Sequence, residues 1–330
     1  MQVTREDIQF VAELVDELCG VMLDETKGYL VESRLGQLAD EHGCTSYRDL
    51  CLQARAGGDR MLQQKIIDAI TTQETLFFRD SSPFDALQNK ILPDLIDACA
   101  RGGTARKLRI WSAACSTGQE PYSLAIVLRE TIPNFASWNL SVLATDISDA
   151  AIARASRGWY AAHEIDRGMR ASLLPKYFKP HQGGWQVSDE VRGMVSFHRR
   201  NLLQPFTEVG TFDVIFCRNV AIYFDAPHRR ALFPRLADQL APGGTLFVGS
   251  SESLADFGAR FAPRHYCHAT YYQPNQPPTP SARPAVVMPV VPTPKPADAT
   301  KPPVFPTIRP CVASPLPPAK APTVPWSARR

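Results

Sequence analysis

The chain has 330 residues, 44% of them hydrophobic, and a formal net charge of +3; this length suits one large or two ordinary domains with a sizeable core. The basic excess is uneven: residues 274–330 hold seven Lys or Arg against Asp298 alone, which leaves the rest at −3 and argues against nucleic-acid binding by the folded part. The N-terminal MQVTREDIQF carries charges where a signal peptide needs an apolar stretch, and no run reaches the roughly 18 apolar residues of a membrane span, so a soluble intracellular chain without membrane insertion is expected.

Residues Thr4 to Gln73 read as helices. Thr4 and Asp7 have capping-box spacing, Ile8, Val11, Leu14, Val15 and Leu18 recur at helical intervals, and Gly20 is a stop. Further helices are expected over Tyr29–His42, closed by Gly43, over Ser46–Ala56, and over Arg60–Ile70. From Lys107 the pattern changes to short apolar strands alternating with helices: LRIWSAA then Pro121–Glu130, LSVLATD then Asp149–Ala155, FDVIFCRN then Pro227–Leu240, and GGTLFVGS. That alternation predicts a doubly wound α/β sheet, to which HYCHATYY adds one last antiparallel strand. Between residues 157 and 198 the alternation lapses, and an inserted helix followed by a small hairpin is expected. Eighteen of the 29 prolines lie beyond residue 273. Proline lacks a backbone donor and favours extended conformations, so this tail is expected to be disordered, as a tether or a docking peptide.

The eight cysteines form no C-x-x-C pair and sit in no metal-type histidine cluster, so no metal is expected; Cys115 and Cys217 are expected to pack as small apolar residues. Ligands of open α/β sheets bind beyond the carboxyl ends of the strands. The first such turn, SAACSTGQEPYSLA, has one glycine and no lysine, and matches neither a dinucleotide fingerprint nor a P-loop. It offers small residues and Glu120 at a helix start, a poor neighbour for phosphate and a good one for a cation. S-adenosylmethionine, with a sulfonium and an amine, suits it. Asp146 ends the second strand, placed either to accept from ribose hydroxyls or to cap the helix near Ser148.

The stretches TTQETLFFRD, WSAACSTGQEPYSLA, LATDIS, FHRRNLL, FDVIFCRNVAIYF and LAPGGTLFVGSSESL, in this order, resemble the CheR chemoreceptor methyltransferases over residues 1–272. The resemblance implies transfer of methyl from S-adenosylmethionine to glutamates on the helical cytoplasmic bundle of chemoreceptors, with S-adenosylhomocysteine as product, in a cytoplasmic enzyme recruited to receptor arrays. It implies an N-terminal helical receptor-recognition domain (1–75), a Rossmann-like methyltransferase domain (76–272) with an inserted β-subdomain (157–198), and leaves the tail (273–330) outside the family core, with any partner of the tail unknown. The implied cofactor contacts are Gln73, Thr75, Arg79, Glu120, Asp146, Asn201, Leu202, Arg218 and Asn219, and Arg79 and Tyr223 are the implied catalytic pair. The family more often has Asn in place of Gln73. Asn201 and Asn219 each offer a donor and an acceptor to the cofactor, or cap turns. Phe77 and Phe78 read as core.

Two departures stand out. The basic face that family members turn to acidic receptor helices is diluted here, because Lys27 and Arg34 stand among Asp24, Glu25, Glu32, Asp40 and Glu41. Some members hold a receptor C-terminal pentapeptide as an added strand on the β-subdomain, and YFKPHQGGWQV lacks their glycine-rich loop insertion, so a pentapeptide-independent enzyme is expected. A non-catalytic cofactor-sensing or scaffolding module and a methyltransferase with another acceptor are the rival readings.

Overall fold

A computed structural model describes residues 2–275 apart from 57, 58, 104 and 259. The chain begins with α1 (Arg5–Cys19), α2 (Gly28–Glu41), α3 (Tyr47–Arg55) and α4 (Arg60–Ile70). Their ends follow from the residues expected to make them. The Thr4 hydroxyl accepts from the Asp7 N–H at 3.1 Å while the Asp7 carboxylate accepts from the Thr4 N–H at 3.1 Å, and Gly20 ends α1 at φ 71°. Ser46 caps α3 by accepting from the Asp49 N–H. The apolar faces of these helices share one core, with Val11, Leu14, Val31, Leu35, Leu50 and Ile66 almost fully buried.

The α/β part opens with α5 (Ser82–Ala86) and α6 (Leu92–Gly102), joined by a π-helical turn at Leu87–Ile91. There follow β1 (Lys107–Ala113), α7 (Gln119–Thr131), β2 (Asn139–Asp146) and α8 (Asp149–Arg157). The insertion holds β3 (Trp159–Ala161), α9 (Ala162–Asp166), α10 (Leu174–Tyr177), β4 (Phe178–His181), β5 (Gly184–Val187) and α11 (Asp189–Arg192). The chain returns through β6 (Val195–Arg199), β7 (Phe212–Cys217), α12 (Ala226–Asp238), β8 (Leu240–Phe247), β9 (Phe261–Tyr266) and β10 (Ala269–Pro274).

Seven strands form one sheet in the order β6-β2-β1-β7-β8-β10-β9, parallel from β6 to β8 and antiparallel at β10 and β9. Alternate residues of its central strands enter different cores, Ile110 and Phe216 on one side, Trp111 and Ile215 on the other, as the period of two requires. The doubly wound expectation holds. Phe77 and Phe78 are buried in the first of these cores.

The structure corrects three points. HYCHATYY supplies parts of two strands: β9 and β10 form a hairpin that turns at Cys267, φ 48°. The segment after Arg157 is a three-stranded antiparallel sheet, β3-β5-β4, with short helices rather than one helix and a hairpin, and Val195–Arg199 leaves it to become the edge of the large sheet. Strand β3 is only three residues long, too short for a periodicity to register. Helices α5 and α6 have no counterpart in the sequence expectation. Beyond residue 275 the expected disordered tail lies outside the described residues.

The capping box anchors α1, whose last turn reaches the site described next. Replacing Thr4 with Ala is expected to lower the unfolding free energy by about 1 kcal/mol; an unchanged urea midpoint and slope would show that this cap contributes nothing.

Candidate active site

The turn after β1 bends sharply. Ala114 (φ 63°), Ser116 (φ 51°) and Gly118 (φ 97°) all adopt left-handed backbone, which non-glycine residues enter only when their surroundings hold them there. Three hydrogen bonds do so: Cys115 N–H to the Thr145 carbonyl at 2.9 Å, Ser116 N–H to Asp146 Oδ2 at 2.8 Å, and Gly118 N–H to the Cys115 carbonyl at 3.1 Å. A side chain at Gly118 would meet the Tyr160 hydroxyl and the Ala155 methyl, both at 2.8 Å. The second oxygen of Asp146 accepts from the Ser148 N–H at 2.9 Å, and the Ser148 hydroxyl caps α8. Asp146 thus organises two strand-end turns at once. Burial pushes its carboxyl above the ordinary range, against the pull of those N–H bonds.

Glu120, in the first turn of α7, accepts from the Ser112 hydroxyl at 2.7 Å and from Arg218 Nη1 at 3.1 Å. Arg218 Nη2 continues to the Arg79 carbonyl at 2.8 Å and Asp80 Oδ2 at 2.9 Å. The Arg218 side chain is 1% exposed, so this is a buried ion pair. Desolvation pushes the Glu120 carboxyl upward, with the Arg218 charge and the Ser112 bond opposing it. Arg79 sits between Phe78 (φ 51°) and Asp80 (φ 52°), and its Nη1 donates to the Glu74 carbonyl at 3.0 Å.

All ten residues singled out in the sequence, Gln73, Thr75, Arg79, Glu120, Asp146, Asn201, Leu202, Arg218, Asn219 and Tyr223, line one cleft. It holds about 990 Å³ including its open mouth. They are not equally free. The Asn201 amide donates to the Leu18 carbonyl at the end of α1 and accepts from the Leu203 N–H, both at 2.9 Å, so its side chain ties the helical region to the sheet and caps a turn. Gln73 Nε2 donates to the Ser148 hydroxyl at 2.9 Å. Among the described residues the Asn219 side-chain amide has no protein partner, and the Ser116 hydroxyl is buried without one. Burial pushes the Cys115 and Cys217 thiols well above their usual value, which keeps them protonated and unreactive.

Part of the wall was invisible in the sequence. Cys19, Val21 and Ile70 reach the cleft from the helical region, and nothing in their own pattern separates them from core positions.

Two family models cover the chain in succession: the CheR methyltransferase all-alpha domain matches residues 6–71, and the CheR methyltransferase SAM binding domain matches residues 73–268. The chain belongs to the CheR methyltransferases. A chemotaxis protein methyltransferase of Pseudomonas putida, Cher2, is 39% identical over 256 residues, 75% of this chain and 90% of the relative. Chemotaxis protein methyltransferase 1 of Pseudomonas aeruginosa is 39% identical over 276 residues, 81% and 95% respectively. The relative in Vibrio parahaemolyticus, also a chemotaxis protein methyltransferase, is 36% identical over 262 residues, 78% and 93%. This CheR protein therefore spans nearly the whole of each relative.

The cleft fits S-adenosylmethionine. Glu120 in the first turn of α7 and Asp146 at the end of β2 line it, no lysine does, and the unpartnered Ser116 hydroxyl and Asn219 amide are polar groups left for a ligand. Among the described residues no His, Cys, Asp and Glu side chains group as a metal site would, and no helix is long and apolar enough to cross a membrane.

The raised carboxyls carry a pH signature. Glu120 and Asp146 hold protons more tightly in the folded chain than in the unfolded one. Their contribution to stability is therefore complete in acid and is lost as pH rises from about 4 through the raised values. Asp146→Asn, which cannot ionise, should gain stability relative to wild type between about pH 4 and pH 7; denaturation midpoints that run parallel across this range would contradict it.

Proposed function

We propose that this CheR protein methylates glutamate side chains on the helical cytoplasmic bundle of chemoreceptors and so adjusts their signalling, acting in the cytoplasm at receptor arrays. The observation that carries the reading is that Arg79 and Tyr223 line the same cleft as Glu120 and Asp146, so a cation and a phenol stand beside the cofactor site.

S-adenosylmethionine supplies an electrophilic methyl group on a sulfonium. In this reading Asp146 takes the ribose hydroxyls, Ser116 and Asn219 offer their unpartnered groups, Gln73, Thr75 and Leu202 line the wall, and Glu120 with Arg218 fixes the strand-end geometry. An acceptor glutamate is ionised near neutrality, its ordinary pKa being about 4.3, so its oxygen is already nucleophilic and needs no general base. The requirement is alignment and exclusion of water. The Arg79 guanidinium holds the acceptor carboxylate. The Tyr223 hydroxyl donates beside the reacting oxygen. A grip that favoured the free carboxylate over the transition state would slow transfer, so one charged partner and one neutral donor suit the task better than two cations.

Recognition of the acceptor rests little on α2. Arg34 Nη1 is spent on the Ile70 carbonyl at 2.8 Å, Lys27 pairs with Asp24 at 3.5 Å, and Glu32, Asp40 and Glu41 are exposed.

The small sheet supports pentapeptide independence. The Tyr177 carbonyl accepts from the Ser188 N–H at 2.8 Å, and the antiparallel alternation then turns the backbone groups of Phe178 and Pro180 away from β5, where the Phe178 N–H is already bonded to the Leu174 carbonyl. Proline has no N–H to offer an added strand. On the opposite edge, Gly158 accepts from the Val187 N–H at 2.9 Å, which turns Ala161 outward, where Glu164 accepts its N–H at 3.1 Å. Both edges lack a donor that strand addition uses.

Transfer of labelled methyl to receptor cytoplasmic fragments tests the activity. Base-labile label is expected, absent from fragments whose acceptor glutamates are alanine, and reduced about 100-fold by Arg79→Ala; wild-type label that persists without those glutamates would overturn the acceptor. In calorimetry, a receptor C-terminal pentapeptide should give no saturable heat with the wild-type protein, whereas Pro180→Ala restores a donor to the edge. Tight peptide binding by wild type would refute the independence.

A further inference from the structure

The loop after β7 carries Arg218, Asn219, Val220 and Tyr223, all of which line the cleft. It has left the sheet, so its backbone N–H groups need other acceptors. One side chain supplies them. Glu252, on the loop after β8, accepts from the Asn219 N–H at 2.8 Å through Oε2 and from the Val220 and Ile222 N–H groups at 3.2 and 3.3 Å through Oε1. Oε2 also accepts from the Gly249 N–H, and Glu252's own N–H closes a turn onto the Gly249 carbonyl at 2.9 Å. An ionised carboxylate has about four lone-pair directions, and here four backbone donors share them.

The geometry leaves little freedom. Asn219 is held at φ 57°, a left-handed conformation that asparagine tolerates better than most residues but that still needs support. A side chain at Gly249 would come within 2.7 Å of both Asn219 Nδ2 and Glu252 Oε2 and 2.9 Å of the Asn219 nitrogen. The two loops therefore touch backbone to carboxylate, with no room for a spacer. Glu252 lies outside the cleft lining, and its effect on the cleft passes through the loop.

We propose that Glu252 is a positioning residue for methyl transfer: its carboxylate clamps the Asn219–Tyr223 loop and thereby sets where the Asn219 amide and the Tyr223 phenol stand. This rests on the assignment of the cleft to methyl transfer. Glutamine offers one acceptor oxygen and turns an NH2 group toward the N–H donors, and alanine offers nothing, so the two variants grade the loss.

Three readouts on the full chain test this. In hydrogen exchange, Glu252→Gln and Glu252→Ala should speed exchange of the backbone amides of 219–223 by about ten-fold or more, with β1 and α12 amides unchanged. Both variants should lower kcat, alanine by at least about ten-fold and glutamine less, with a smaller change in KM for S-adenosylmethionine. In the double variant Glu252→Ala with Tyr223→Phe, the losses should fall well short of the product of the single losses, because both act at one place. Faster exchange with undiminished kcat would reduce Glu252 to a structural tie and overturn the proposal, as would losses that multiply. Exchange unchanged in both variants would overturn it at the first step. Failure of the wild-type protein to transfer methyl at all would fall on the assignment of the cleft, and the exchange arm would still decide whether Glu252 holds the loop.

Discussion

Everything around the cleft depends on the buried charge of Arg218. A guanidinium 1% exposed to solvent is held by Glu120, Asp80 and the Arg79 carbonyl, which come from two separate stretches of chain. Such a pair adds little net stability over apolar packing, because desolvation consumes most of the attraction. Its value here is geometric. Removing either charge strands the other, so the chain is committed to the one arrangement in which α7, β7 and the segment before α5 converge. That segment carries Arg79, and β7 leads into the loop with Tyr223. The pair that joins them also sets the spacing between the guanidinium and the phenol in the cleft.

The helical region belongs to the same construction. Beyond the amide of Asn201, the Met22 N–H donates to the Tyr223 carbonyl at 2.9 Å, and Gln64 Nε2 donates to the Ile147 carbonyl at 3.1 Å. Gly20, which ends α1, lies so close to Leu203 that a side chain there would meet the leucine at 3.0 Å. A helix terminus has carbonyls without partners inside the helix. At α1 one of them, on Leu18, is satisfied by Asn201 across the cleft's rim. The cap of a helix and the wall of the cleft are in this way one set of bonds.

Much of this was legible in the sequence because local chemistry dictated it. Thr4 with Asp7, Ser46 with Asp49 and Gly20 mark helix ends whatever lies around them, and the apolar runs of β1, β2, β7 and β8 announce a covered parallel sheet. The ten cleft residues were found by motif, and the structure brings them to one place. What the sequence hid is what tertiary context decides. Strand β6 has Val195 and Phe197 facing the core, but its pattern is as compatible with a hairpin as with a sheet edge. The amide of Asn201 donates to a helix carbonyl 183 residues away in the chain, a partner that no local pattern announces. Cys19, Val21 and Ile70 look like core residues of a helical bundle, since a wall is defined by what is opposite it.

The insertion shows how position outlasts a peripheral role. Its loop runs against the segment that carries Arg79: a side chain at Gly168 would collide with the Phe77 carbonyl oxygen, Arg170 covers the Phe78 ring at 5.0 Å and pairs with Asp85 at 2.8 Å, and Arg167 pairs with Glu74. Inside the insertion, the Tyr160 hydroxyl donates to the Thr117 carbonyl at 2.8 Å, in the turn that precedes Glu120. The small sheet thus buttresses both the Arg79 segment and the first strand-end turn. Blunting its edges with Pro180 and Glu164 leaves those contacts intact, because they lie on other residues. The insertion is needed wherever Phe77 and Thr117 must stay in place, and the collision at Gly168 is the clearest sign of how closely it is fitted to them.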